Sequence, residues 1–285
     1  MGRALQLIVT GATGFIGGHV VAAALERGHR ITAVGRNKAK AMAAEWAQQV
    51  HFVAADIYQH CFEPAILGKA DAMLHLAWPG LSNFRDPAHM EVYFPADARF
   101  LEAMVASGLP RLLVTGTCLE YGIAYGPLAE TMPTAPTLAY PRAKDALRRH
   151  LEDHVPPSVA HVWARLFYMH GPGQHPKSVL AQLDAAIDRG DPEFPMSGGE
   201  QLRDYLPVRE VAHRLVRLAE LPDASGIFNI CSGQPISIRR LVEERIAERG
   251  AAIALDLGHY PYPDYEPMAF WGDGTKYERE VEKAE

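Results

Sequence analysis

Cysteine is scarce: Cys61, Cys118 and Cys231 are the only three in 285 residues, and they stand far apart. An odd, unpaired count excludes a disulfide framework, and the three lack metal-ligand spacing, so they read as free thiols with no metal expected. Long apolar runs are missing too. Nothing reaches the ~18 consecutive apolar residues that a membrane helix needs. No block of basic residues occurs, and the net charge of −6 counts against a nucleic-acid partner. The first apolar strand begins five residues in, which leaves no room for a signal peptide and makes a cytoplasmic protein the expectation. What remains is a chain that is 48% apolar, long enough for one large α/β unit or two lobes.

What is present is concentrated between Leu5 and Gly18, L-Q-L-I-V-T-G-A-T-G-F-I-G-G. Leu5, Leu7, Ile8 and Val9 form a buried strand pattern. Gly11, Gly14 and Gly17 follow at once, and then a helical apolar pattern of Phe15, Ile16, Val20, Val21, Ala24 and Leu25. Strand, glycine turn and helix in that order suit a dinucleotide pyrophosphate, because the helix start offers free N–H groups and a positive dipole. An acid is then absent where one is expected. The second strand, Arg30 to Gly35, ends about 20 residues past the turn, where an Asp or Glu would hold the ribose hydroxyls of NAD. Arg36 stands there instead, beside Asn37 and Lys38. A cation pairs with a 2′-phosphate, so NADP(H) is favoured over NAD(H).

Further strands are predicted at His51–Ala55, Ala72–Leu76, Arg111–Thr115 and Ala160–Tyr168. Helices are predicted over 39–48, over 86–107 with a kink at Pro95, and from Tyr140 to His154. Alternating β and α units imply a parallel, doubly wound sheet. Tyr140 and Lys144 are four apart in A-Y-P-R-A-K, which stacks them on one helical face. A phenol titrates near ~10, so a tyrosine acid needs a cation beside it to approach neutrality, and Lys144 together with a positively charged nicotinamide is the expected source.

At this point the sequence resembles the extended short-chain dehydrogenase/reductase family, whose T-G-x-x-G-x-x-G is matched by Thr10, Gly11, Gly14 and Gly17. The resemblance covers essentially the whole chain. It implies a Rossmann domain over residues 1–171, with 207–232 returning to it, and a smaller α/β substrate lobe from 172–206 and 233–285. Cofactor contacts are expected from Gly11, Thr13, Gly14, Phe15, Ile16, Gly17, Arg36, Asp56, Ile57, Ala77, Tyr140 and Lys144. The catalytic set implied is Thr117, Tyr140 and Lys144. Thr117 is followed by Tyr121 and Gly122 as in the family pattern, while Thr115 reads as a strand residue. Trp78 departs from the family's usual small residue and reads either as packing or as a substrate border.

The segment Arg165–Gly173 is similar to the family's R-x-x-N-x-Y-G-P-G, with Tyr168 in place of Asn. The stretch around Gln201, Arg203 and Asp204 is similar to its R-D-Y segment. Substrate contacts are therefore expected from Thr117, Gln174, Ser178, Gln201 and Arg203, the last on the diphosphate of a nucleotide sugar, while Asp204 is assigned to structure. Helices are predicted from Ser178 to Arg189, Val208 to Leu221 and Gln234 to Arg249, a strand from Gly226 to Ile230, and an irregular Pro- and Tyr-rich tail from Tyr260 to Trp271.

The family's dehydratases place an acid pair after the Thr. Cys118 and Leu119 stand there here, and Glu120, one residue on, points the other way on an extended stretch. NADPH-dependent reduction of the C4 carbonyl of a nucleoside-diphospho-4-keto-6-deoxyhexose is thus the expectation. The alternatives are a 4-epimerase with bound NAD, an epimerase–reductase using a Cys with His175, and a non-catalytic NADP sensor, which the Tyr140/Lys144 pair disfavours. The family also implies a homodimer through the 86–107 and 140–154 helices.

Overall fold

The computed structural model describes residues 3–60 and 62–281, so Cys61 lies outside the described residues. Its first half runs β1 (Gln6–Thr10), α1 (Phe15–Glu26), β2 (Arg30–Gly35), α2 (Lys38–Met42), β3 (His51–Ala54), β4 (Ala72–His75), α3 (Phe94–Ala106), β5 (Arg111–Thr117), β6 (Gly126–Leu128) and α4 (Ala139–His154). The second half runs β7 (Ala160–Leu166), β8 (Tyr168–His170), α5 (Val179–Arg189), β9 (Glu193–Met196), β10 (Leu202–Pro207), α6 (Val208–Glu220), β11 (Gly226–Ile230), β12 (Pro235–Ser237), α7 (Ile238–Arg249), β13 (Ala254–Leu257), β14 (Phe270–Gly272) and α8 (Thr275–Glu280).

Seven parallel strands form the central sheet in the order β11-β7-β5-β4-β1-β2-β3. The alternation of β1 assigns its side chains to two layers. Leu7 and Val9 pack with Val20 and Val21 of α1 and Val211 and Leu215 of α6. Ile8 faces the other way, with Leu101 of α3 and Leu147 of α4. Both faces are covered, which is why these strands read as continuous apolar runs. The strand order reverses between β1 and β4, and a doubly wound sheet opens its crevice at the carboxyl ends on either side of such a point. The 207–232 stretch returns to this sheet, α6 against α1 and β11 beside β7. The remaining strands form three small sheets, β12-β10-β8, β13-β9 and β14-β6, and α5 and α7 share a separate core around Leu183, Phe194 and Val242.

Several elements differ from expectation: residues Cys118–Tyr121 form a 3-10 turn rather than an extended stretch, and Pro235–Ser237 is a strand, so the helix expected from Gln234 begins at Ile238. The 39–48 helix is only Lys38–Met42, after which turns bring Trp46 into the core, so burial of the indole overrides good helix propensity. Pro95 does not kink a long helix. A π-helical turn, His89–Tyr93, precedes α3, and Pro95 sits in the first turn of α3, where a missing N–H costs nothing. The fifth strand extends to Thr117, so Thr115 and Thr117 share it. The Ala160–Tyr168 strand divides: β7 ends at Leu166, and Tyr168–His170 pairs with Tyr205–Pro207 in a small sheet. Elsewhere Ser178 and Ser237 are the N-caps of α5 and α7.

Candidate active site

The glycine turn is built as its residues require. Gly11 has φ +68°, a left-handed value that favours glycine, and a Cβ there would lie 2.8 Å from the Ala77 nitrogen. A Cβ on Gly17 would lie 2.1 Å from the Gly11 carbonyl oxygen, so the helix can approach the turn only without a side chain. Above this turn is a cavity of about 330 Å³. It is lined by Gly11, Thr13, Gly14, Phe15, Ile16 and Gly17 at one wall, by Arg36, Asp56 and Ile57 at another, and by Ala77 and Trp78 beyond. Lys40 also borders it, a residue that no sequence motif marks. The Asn37 side chain caps α2 by accepting from the Lys40 N–H, which places that lysine beside Arg36. Glycines that leave backbone amides bare over a helix start, and two cations at the far wall, fit a nicotinamide dinucleotide.

Thr117, Tyr140 and Lys144 are all buried, at 8%, 9% and 1% exposure. Thr117 ends β5. Tyr140 sits in the first turn of α4, where its N–H donates to the Phe84 carbonyl, satisfying a group the helix leaves open. One turn on, the Lys144 Nζ has no hydrogen-bond partner among the described residues and lies 4.1 Å from the centroid of the Trp78 ring. Burial lowers Lys144 to about 8, against the pull of Asp97 and Glu120. Tyr140 packs against Phe84, Trp78 and His89. Burial raises its phenol well above the usual range, Glu120 and Cys118 add to this, and the hydrogen-bonding Thr117 side chain acts the other way. Lys144 alone does not draw the phenol toward neutrality. The lysine charge rests on an indole face, and the environment keeps Tyr140 protonated.

Trp78 packs as one of its two readings had it, covering Lys144, and it also lines the dinucleotide cavity. The His89 ring holds it: the Trp78 Nε1–H donates to His89 Nδ1, and His89 Nε2 meets the Asn83 carbonyl, an arrangement that requires the Nε2–H tautomer. Glu120 points into the core. Its carboxylate accepts from the Thr117 N–H at 2.8 Å, from the Trp163 indole and from Arg165 Nε at 2.8 Å, which fixes the end of β5 from behind. Thr115 donates to the His75 carbonyl and is a sheet residue.

The expected substrate residues are not gathered as a group. Gln174 donates to the Met169 carbonyl and borders a second cavity of about 580 Å³ with Asp184 and Arg245. The Ser178 hydroxyl donates to the His175 carbonyl within its own loop. Gln201 is buried. Arg203 is 2% exposed and already satisfied, with Nη1 donating to the Leu202 and Met268 carbonyls and Nη2 to Glu266. Asp204 accepts from Ser232, Gly233 and Gly272 and so ties the turn after β11 and the end of β14 to β10. Burial raises the Cys118 and Cys231 thiols well above their usual range, and His175 is exposed. Among the described residues, no cluster of His, Cys, Asp and Glu could hold a metal, and no helix is long and apolar enough to cross a membrane.

Known proteins share this architecture. Residues 7–231 match the model of the NAD dependent epimerase/dehydratase family. The chain is 31% identical over 272 residues to a dTDP-6-deoxy-L-talose 4-dehydrogenase (NAD(+)) of Aggregatibacter actinomycetemcomitans, covering 94% of this chain and 99% of that one. It is 29% identical to a dTDP-6-deoxy-L-talose 4-dehydrogenase (NAD(P)(+)) of Kitasatospora kifunensis, over 91% and 83% of the two chains. Among solved structures, MoeE5 in complex with UDP-glucose and NAD superposes with a TM-score of 0.80 at 25% identity, covering 97% of this chain and 92% of that one. The glycine turn, the seven-stranded sheet and these matches together place the chain in the NAD dependent epimerase/dehydratase family.

Proposed function

We propose that the protein is a nucleotide-sugar 4-ketoreductase that reduces the C4 carbonyl of a nucleoside-diphospho-4-keto-6-deoxyhexose and uses NADP(H). The observation that carries this reading is the buried meeting of Thr117, Tyr140 and Lys144 beside Trp78, at one end of a dinucleotide cavity whose far wall bears Arg36 and Lys40. When bound, the cofactor supplies hydride to the carbonyl carbon. In this reading the glycine turn holds its pyrophosphate, Asp56 and Ile57 its adenine, Arg36 and Lys40 a 2′-phosphate, and Lys144 the nicotinamide ribose. Lys144 suits that contact because its buried ammonium has no hydrogen-bond acceptor among the described residues.

The chain's own groups then handle the proton. Thr117 hydrogen-bonds the carbonyl oxygen and holds it against Tyr140. The phenol, kept protonated by burial and by Glu120, donates to the oxygen as negative charge develops there. Dehydration and epimerisation at C3 or C5 lack their groups here. Glu120 is committed to Arg165, Trp163 and Thr117, so it is not free to expel a 6-hydroxyl. Cys118 is a neutral buried thiol, poorly suited to abstract a proton at C3 or C5. A 4-dehydrogenase and a 4-ketoreductase run one couple in opposite directions, so the names of the two sequence relatives favour C4 redox chemistry here as well.

The reading is tested by incubating the protein with NADPH and dTDP-4-keto-6-deoxyhexose and, separately, with UDP-hexoses. The expected result is one NADPH oxidised per C4 alcohol formed. Inversion of a UDP-hexose at C4 with no net loss of NADPH would replace it with the epimerase reading.

A further inference from the structure

The Arg203 guanidinium should be open if it simply waits for a diphosphate, and it is not. Both carbonyls that it meets, Leu202 and Met268, occupy Nη1, and its flat face lies over the Phe270 ring at 4.6 Å. The remaining edge donates from Nη2 to Glu266 Oε2 at 2.9 Å. The other oxygen of that carboxylate accepts the Tyr168 phenol at 2.6 Å. Glu266 is therefore clamped between a permanent cation and a phenol, in a niche where its side chain is only 13% exposed. The niche adjoins the catalytic end of β5, since Cys118, the residue after Thr117, shares a buried cluster with Phe270, the ring under Arg203, and Tyr168 packs against that cluster.

A carboxylate bonded through one oxygen to Arg and through the other to a hydroxyl presents two oxygens much as one phosphoryl group does. The two anions cannot share this edge of the guanidinium, because like charges packed together in a half-buried site repel strongly. The residues just before Glu266 are held loosely, while Met268 beyond it is fixed by the Leu202 N–H and by Arg203. Asp264 pairs with Arg85 at 3.1 Å with both side chains exposed, and Arg85 lies 5.7 Å from the Tyr265 ring centroid. An exposed pair of this kind holds weakly. Arg85 follows Phe84, whose carbonyl accepts the Tyr140 N–H and whose ring stacks on the Tyr140 ring.

We propose that Glu266 is an internal counter-ion that a nucleoside diphosphate displaces from Arg203, so that only ligands carrying the diphosphate move the 264–266 stretch aside and reach the Thr117–Tyr140 site. This rests on the nucleotide-sugar reading above and goes beyond it, since it assigns Glu266 and Tyr168 to selection of the diphosphate. Tyr168, which stands where the family pattern has Asn, holds the carboxylate in the place of the ligand. Nucleosides and free sugars, lacking the anion, leave the ion pair intact.

Calorimetric titration of dTDP, UDP and thymidine into the wild type, Glu266→Gln and Tyr168→Phe tests this. Glu266→Gln keeps the shape and removes the competing charge. Diphosphate binding is expected to tighten about tenfold in Glu266→Gln, and by less in Tyr168→Phe, while thymidine binding is weak and equal in all three. NADPH affinity, measured in parallel, is expected to be unchanged, which shows that each variant is folded. Wild-type binding of dTDP or UDP with equal or weaker binding in folded Glu266→Gln would overturn the counter-ion proposal and leave the ketoreductase reading standing. Absence of diphosphate binding in both would overturn it together with the diphosphate part of that reading. If Glu266→Gln loses NADPH binding through misfolding, Tyr168→Phe decides: unchanged or weaker dTDP binding in it overturns the proposal.

Discussion

Replacing Lys144 by Met is expected to stabilise the protein while abolishing its activity. Burial pulls this ammonium from 10.5 down to about 8. At ~1.4 kcal/mol for each tenfold step, keeping it charged costs the folded state roughly 3 kcal/mol relative to the unfolded chain. The contact with the Trp78 face returns about 1 kcal/mol of that, leaving a net gain of roughly 2 kcal/mol for a neutral side chain of similar length. For a chain of this size that corresponds to a rise in Tm of roughly 3 °C. The sign of the pH dependence follows from linkage. The folded-state value lies below the unfolded one, so the penalty is complete below about 8 and disappears as pH rises toward 10.5. Denaturant unfolding of wild type and Lys144→Met between pH 7 and 10.5 reads this directly. The gap favouring the variant should be largest at pH 7 and close toward 10.5. A variant less stable than wild type at pH 7, or a gap that does not change with pH, would refute the reasoning.

Three other perturbations follow from the same geometry. Arg36→Ala should erase most of the preference for NADP(H) over NAD(H), and Lys40→Ala part of it; equal affinities in the wild type at physiological salt would sink the 2′-phosphate assignment. Tyr140→Phe should keep cofactor affinity and lose roughly 10²–10⁴-fold in turnover, so near-normal turnover would mean another group protonates the product. Glu120→Ala strands the buried Arg165 charge and should cost about 3–5 kcal/mol in chemical unfolding, whereas a loss below about 1 kcal/mol would show that the pair is dispensable.

Where the chemistry is local in the chain, the sequence carried it. The glycine spacing specified a turn that only bare backbone can make, and every residue named for it lines one cavity. Tyr140 and Lys144 meet because four residues make one helical turn, and Thr117 joins them because it ends the neighbouring strand. What was not legible depends on contacts between distant segments. Glu120 finds Arg165 across 45 residues, and Glu266 finds Arg203 across 63 and Tyr168 across 98. No periodicity marks such pairs. The same limit explains the phenol. A lysine one turn away suggested a lowered pKa, but Trp78, folded in from the end of β4, took the lysine's charge and dried the site. The short α2 is the corresponding failure of local propensity, because Trp46 is worth more in the core than in a continued helix.

The central claim is hydride transfer to C4 with protonation by the chain and no other carbon touched. Its most direct test follows the label. Protein incubated with dTDP-4-keto-6-deoxyhexose and NADPH deuterated at the transferring position should place one deuterium at C4 of a single product alcohol. The same reaction in deuterated water with ordinary NADPH should leave C3 and C5 free of deuterium. Solvent deuterium at C3 or C5, or a product without cofactor deuterium at C4, would contradict the account.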